Sequence, residues 1–301
     1  MSGPVSEGAA VLVGNGLSQA AGAGSWAALM AELKGAAGIT GDIERGAFPL
    51  VYEQIYLRGR ERGAWQREGE LKHRIAAQLA DVQTTPLHRR VMDLPVQHVL
   101  TTNYDLALEG GARWAPHRPV PVRESTHSLF RACRAPDGQG PTLWHIHGEA
   151  AAPSTILLGH RQYAGTLQQV RDHVNGRLAY KNLHLPFTLG QRLQRDDWAL
   201  RSWVDLFFTA HLHMVGFGLD PVEHHLWMLL GMRRRWQLDH GVDLAGSITL
   251  WTHAGLRATP WGGLVEAHGV TLNEVAPKPT TSPEWTALYD LCLDGIHAAS
   301  R

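Results

Sequence analysis

The chain contains only two cysteines, Cys133 and Cys292, in 301 residues. That excludes a four-cysteine zinc module, and without a secretory signal it predicts two reduced thiols rather than a bridge. No run approaches the ~18 apolar residues that a spanning helix needs, and the opening MSGPVSEGAA has no basic stretch followed by an apolar one. A soluble, cytoplasmic protein is expected. An excess of one charge is missing too: Lys plus Arg number 28 and Asp plus Glu 28, so direct binding to nucleic acid or a membrane surface is not predicted. The one tight basic cluster, Arg233 to Arg235, reads as the solvated or partner-facing end of a helix.

What is present is enough apolar material for a substantial core, 44% hydrophobic residues. Strand-like runs at Ala9 to Val13, Val96 to Leu100, Val120 to Val122, Leu143 to His147, Thr155 to Leu158, His211 to Val215, Ile248 to Thr252 and Val270 to Val275 alternate with helical periodicity. Helices are expected over 27–34, 48–62, 67–79 and 106–114, from near Pro86 with Thr85 as cap, from near Pro221, and over about 283–298. This alternation predicts an α/β fold, a Rossmann-like and mostly parallel sheet with helices on both faces. The expectation is one domain over 1–301 with helical insertions at about 27–94 and 161–203.

Three motifs end strand-like runs: GNGLS at Gly14 to Ser18, TTNYD at Thr101 to Asp105, and WHIHG at Trp144 to Gly148. At the carboxyl ends of parallel strands they would share one crevice, where α/β proteins hold dinucleotides. Gly14 and Gly16 suit a turn that lets backbone N–H groups approach a pyrophosphate, while Ser18 either caps the following helix or bonds a phosphate. Thr102 and Asn103 either end a strand and start a helix, or the Asn103 amide orients a ribose hydroxyl or a water, with Asp105 fixing the turn or holding a carboxamide. Period-two alternation puts His145 and His147 on one face, and His147, nearer the strand's end, is the better base. GFGLDP at Gly216 to Pro221 supplies a second close-approach turn, with Asp220 capping a helix or accepting from a hydroxyl.

Eighteen histidines raise the question of a metal. His145-x-His147, His211-x-His213 and Glu223-His224-His225 offer ligands, but EHH is not an i, i+4 pair and adjacent helical residues do not share a face. No metal is expected.

Taken in order, these motifs resemble those of sirtuins. GNGLSQAAGAGSW resembles their glycine-rich opening, TTNYD their QNxD segment, His147-Gly148 their catalytic histidine motif, and GFG their later GTS turn. The likeness is greater to the sirtuin-like proteins of bacterial anti-phage defence, in which TTNYD and a tryptophan after the glycine turn, here Trp26, are usual. The zinc ribbon of deacetylases is absent, and Thr102 stands where they carry glutamine. The resemblance therefore implies hydrolysis of NAD, as substrate, to nicotinamide and ADP-ribose. It implies that Asn103 positions ribose hydroxyls and water and that His147 is the base or polarises the ribose. Asp105 would hold the carboxamide side. Gly14, Gly16, Ser18, Gly216 and Gly218 would bind phosphates and ribose, and Asn15, Trp26, Thr102, Phe217 and Asp220 would complete the NAD-binding set. It also implies a regulated defence effector, a homo-oligomer or a subunit beside a separate partner such as a motor ATPase or an Argonaute. The alternatives are an NAD-dependent deacylase or ADP-ribosyltransferase, and a non-catalytic regulatory subunit that binds NAD or ADP-ribose.

Overall fold

β1 (Ala9–Val13) is AAVLV, apolar throughout and buried throughout. A strand with no polar face has to be covered on both sides, and this one lies in the middle of a parallel sheet. Its right neighbour in register is β2 (His98–Thr101) and its left neighbour is β8 (His211–Val215), both parallel to it. The computed structural model describes residues 8–20, 22, 26–40, 48–117, 125–180, 183–184, 187–195, 201–240, 244 and 246–301.

Between β1 and β2 run α1 (Gly16–Ala20), α2 (Trp26–Ala36), α3 (Phe48–Glu61), α4 (Glu68–Leu79) and α5 (Pro86–Met92). After β2 come β3 (Ala115–Pro116), β4 (Ala132–Arg134), β5 (Thr142–His145), a 3₁₀ turn at Pro153–Thr155 and α6 (His160–Val174). A two-stranded ribbon, β6 (Ala179–Tyr180) with β7 (Leu183–His184), leads to α7 (Leu189–Arg195), α8 (Trp203–Thr209) and β8. The chain closes with α9 (His224–His240), β9 (Ile248–His253), α10 (Pro260–Ala267), β10 (Thr271–Ala276) and α11 (Ser282–Ala299). Sheet order among the described residues is β10-β9-β8-β1-β2-β5-β4-β3, parallel from β10 to β5 and antiparallel at the β5-β4-β3 edge. The α/β, mostly parallel architecture read from the alternation is the one observed.

Alternate residues of each central strand feed opposite cores. Ala10, Leu12, Leu100, Trp144, Leu212 and Met214 pack with α6, α8 and α9, whereas Val11, Val13, Val99, Leu143 and Val215 pack with α5 and α11. A third cluster, with Leu33, Tyr52, Ile55, Leu71 and Ile75 at its centre, joins α2–α4 to Tyr104 and Ile156. The order of strand addition reverses at β1: later strands are added towards β5 first, and then β8, β9 and β10 on the other side. This is a topological switch point, where the loops at the strand ends part to leave a crevice.

Several expected elements differ. Residues 106–114 form turns instead of a helix, because Gly110 and Gly111 stand at φ +77° and +82°, outside helical backbone. Thr155 to Leu158 joins no ladder: Leu157 N donates to His147 O at 2.8 Å, and the Tyr104 hydroxyl donates to Leu157 O. α9 starts at His224 rather than Pro221, since Asp220 Oδ1 first closes a turn by accepting from Val222 N at 2.9 Å. The expected strand at Val120 to Val122 lies outside the described residues. Arg233, read as a solvated helix end, is buried and donates to Phe207 O at 2.8 Å and to Gly246 O, fastening α9 to α8. Among the described residues no helix is long and apolar enough to cross a membrane.

Candidate active site

Two glycine turns meet at the switch point. Gly14 N donates to Val215 O (3.1 Å), and Gly16 N to Gly216 O (2.9 Å). A Cβ on Gly14 would sit 2.4 Å from Gly216 O, and one on Gly16 2.4 Å from the Tyr289 hydroxyl. Gly216 has φ +62°, and a Cβ there would lie 2.3 Å from Leu17 Cδ1. These three glycines are required by the closeness of one turn to the other. Gly218, with nothing within 4 Å of its would-be Cβ, faces open space.

That space is a cleft of about 550 Å³, within the size range of small-molecule sites. Asn15, Gly16, Thr102, Asn103, His147, Gly216, Phe217, Gly218 and Asp220 line it, so most of the residues singled out by sequence are brought together. Gly14, Ser18 and Asp105 lie outside its lining. The Trp26 side chain lies outside the described residues.

Ser18 lies in the third position of α1 and is buried, so it is not the helix cap. Its Oγ stands 3.1 Å from His88 Nε2 and receives the Asn103 amide, Nδ2, at 3.4 Å. The tautomer follows from the far side of the ring: Thr85 N donates to His88 Nδ1 at 3.1 Å. Nδ1 is therefore the acceptor, and Nε2–H donates to Ser18. Burial holds His88 at a pKa of about 4, so it stays neutral. The cap of α5 thus fixes the direction in which Asn103 presents its amide. Asp105 accepts from Ala107 N at 3.0 Å and fixes the turn after Asn103; burial raises its pKa.

His145 and His147 separate. β5 ends at His145, and the chain turns at Gly148, whose φ is +97° and whose Cβ would meet Thr155 O at 2.3 Å. Period-two alternation stops there. His145 points behind the cleft, with Nε2 2.8 Å from Glu109 Oε1 and Nδ1 3.3 Å from Asn103 O. Both neighbours are oxygens that accept, so both ring nitrogens carry protons and the ring is an imidazolium. Burial opposes that charge, but Glu109 prevails and the pKa stands well above the ordinary value. The His145–Glu109 pair thereby clamps the main chain at Asn103.

His147 faces the cleft from within a buried cluster. Its Nε2 is 3.0 Å from His225 Nε2 and 3.3 Å from Glu223 Oε2. Burial first, then His225 and Arg131, press its pKa well below 6.5, so the ring is neutral. Burial first, and then Asp220, push the Glu223 carboxyl up to about 8. Glu223 precedes α9 and His225 is its second residue, so the bar on adjacent helical residues sharing a face does not apply: both reach His147. His211, by contrast, lies at 3.2 Å from Ser247 Oγ at the start of β8, and His213 accepts from Trp251 Nε1 at 3.1 Å. Neither joins a ligand group.

The opposite wall had no motif to announce it. Trp251 and His253 from the end of β9, Trp261 from α10, and Trp285 and Tyr289 from α11 make it aromatic. The only signal was the clustering of tryptophan and histidine after residue 250.

No curated protein matches the chain. Residues 97–221, which hold Asn103, His147 and the Gly216–Asp220 turn, match the family model of the SIR2-like domain, so this segment is similar to sirtuin-like proteins.

Proposed function

We propose that the protein is an NAD hydrolase that cleaves the nicotinamide–ribose bond to release nicotinamide and ADP-ribose. The observation that carries this reading is the placement of Asn103 and neutral His147 on one cleft, beside the paired glycine turns of a sirtuin-like switch point. SIR2-like domains act on NAD, and the bond to be broken already has a cationic leaving group, so it needs no acid. The electron pair of the C–N bond leaves with nicotinamide. A water oxygen bonds to the ribose carbon, and its proton passes to His147 and then to solvent.

The roles of the chain's own residues follow. Asn103, held through Ser18 and His88, orients the ribose hydroxyls and the water; the Gly218 backbone admits phosphate closely; the aromatic wall offers faces on which adenine stacks. Deacylation is less well supported, because the chain lacks the cysteines of a zinc ribbon. Regulation as an anti-phage effector, with a homo-oligomer or a partner protein, is part of the same proposal.

Cleavage of etheno-NAD by the purified protein tests it. Asn103→Ala and His147→Ala should each lower turnover by about 10²–10⁴-fold, the size of a lost positioning or proton-transfer group. Unchanged turnover in both variants would refute the assignment.

A further inference from the structure

Two groups of side chains among the described residues place three ligand atoms within 4.8 Å of one another: Glu109 with Cys133 and His145, and His147 with Glu223 and His225. The first is already spent. Both nitrogens of His145 donate, to Glu109 Oε1 and Asn103 O, which leaves no lone pair for a metal.

The second is different. We propose that His147 Nε2, His225 Nε2 and Glu223 Oε2 form a site for one divalent transition-metal ion of the zinc class, and that its occupancy withholds His147 from the ribose and brakes NAD cleavage. The binding part stands alone; the brake rests on the function proposed above.

Geometry supports it first. Tetrahedral zinc with ligands at about 2.0–2.1 Å sets its donors roughly 3.3–3.4 Å apart. The three atoms here stand at 3.0, 3.3 and 3.9 Å, a spread centred on that spacing. Two imidazoles and one carboxylate are a borderline donor set suited to zinc or cobalt rather than to calcium or magnesium.

Unsatisfied polarity supports it second. Glu223 Oε2 is buried without a hydrogen-bond partner, although it faces two histidine rings. Buried polar atoms are rarely left so, and a cation between these three atoms would satisfy this one. Access is present as well. His147 and Glu223 line the cleft, so a fourth coordination position opens towards it. Three protein ligands with one open position is the pattern of an exchangeable site, not a closed structural one.

Full-length protein stripped with a chelator and titrated with Co²⁺ provides the direct test. The site predicts one ion per chain, an intense tetrahedral visible spectrum and no thiolate-to-cobalt band. Zn²⁺ affinity, read against a chromogenic chelator, should fall at least about tenfold in His225→Ala and in the conservative Glu223→Gln. It should hold in Cys133→Ser and His211→Ala. Unchanged affinity in both cluster variants, a six-coordinate spectrum, or a thiolate band would overturn the site. X-ray absorption of the zinc-loaded native chain asks the same question without any variant: imidazole and carboxylate scattering supports the site, sulfur scattering refutes it. For the brake, one equivalent of Zn²⁺ should lower NAD turnover at least about tenfold and a chelator should restore it; stimulation would overturn it. If the stripped chain binds cobalt as described yet never cleaves NAD, the hydrolase reading fails while the metal site stands.

Discussion

Asn103 is held from two sides by side chains that never touch the cleft. Its amide is directed by Ser18 and His88, and its main-chain carbonyl is clamped by the His145–Glu109 pair. Both members of that pair are buried, so removing one strands a charge in the interior. His145→Ala should therefore cost about 3–5 kcal/mol of stability, measured by denaturant unfolding. A loss under about 1 kcal/mol would show that the pair is not ionised. Ser18→Ala leaves the buried His88 Nε2–H without its acceptor, which should cost about 1–3 kcal/mol of stability, and turnover of NAD falls because the Asn103 amide is free to rotate.

The two glycine turns and the elements around them behave as a unit. Gly216→Ala forces a side chain into left-handed backbone and onto Leu17, so it should cost more than about 1 kcal/mol and lower the thermal midpoint. Gly218→Ala meets nothing; it should leave the midpoint within about 0.5 kcal/mol equivalent and raise the KM for NAD. Equal melting of the two variants would contradict the turn-on-turn account. The strands were legible in the sequence because parallel strands buried on both faces read as unbroken apolar runs, as AAVLV and HLHMV do. The helix expected over 106–114 failed at Gly110 and Gly111, and the pairing of His145 with His147 failed because β5 stops one residue beyond Trp144. Glycine backbone angles are not written in a hydropathy pattern. Nor are the contacts of Asn103 with Ser18 or of His147 with His225, separated by 85 and 78 residues.

At the scale of the whole molecule, helices that cover the sheet are joined by buried ions as well as apolar contact. Asp205 at the start of α8 accepts from Ser202 N at 2.7 Å and Arg192 Nη1 lies at 3.1 Å, with His173 Nε2 at 2.9 Å, so α6, α7 and α8 share one carboxylate. Burial raises the pKa of Asp205, but His173 and Arg192 together outweigh it and the net shift is downward. A depressed carboxyl contributes stability above its unfolded pKa of about 3.9, lost as pH falls through the folded value. Unfolding free energy should therefore drop steeply below about pH 4 in the native chain and less steeply in Asp205→Asn; parallel acid profiles would contradict this. The same scale explains why the cleft's aromatic wall escaped sequence reading: β9, α10 and α11 carry no motif, and only the reversal of strand order at β1 folds them over Asn103 and His147.

The central claim is that this cleft hydrolyses NAD. Chromatographic analysis of NAD incubated with the purified chain, stripped of metal and given no acyl donor, tests it most directly. The account predicts nicotinamide and free ADP-ribose in equal amounts, abolished in Asn103→Ala and in His147→Ala. Intact NAD that nevertheless binds the protein, or equal product from the native chain and both variants, would contradict it.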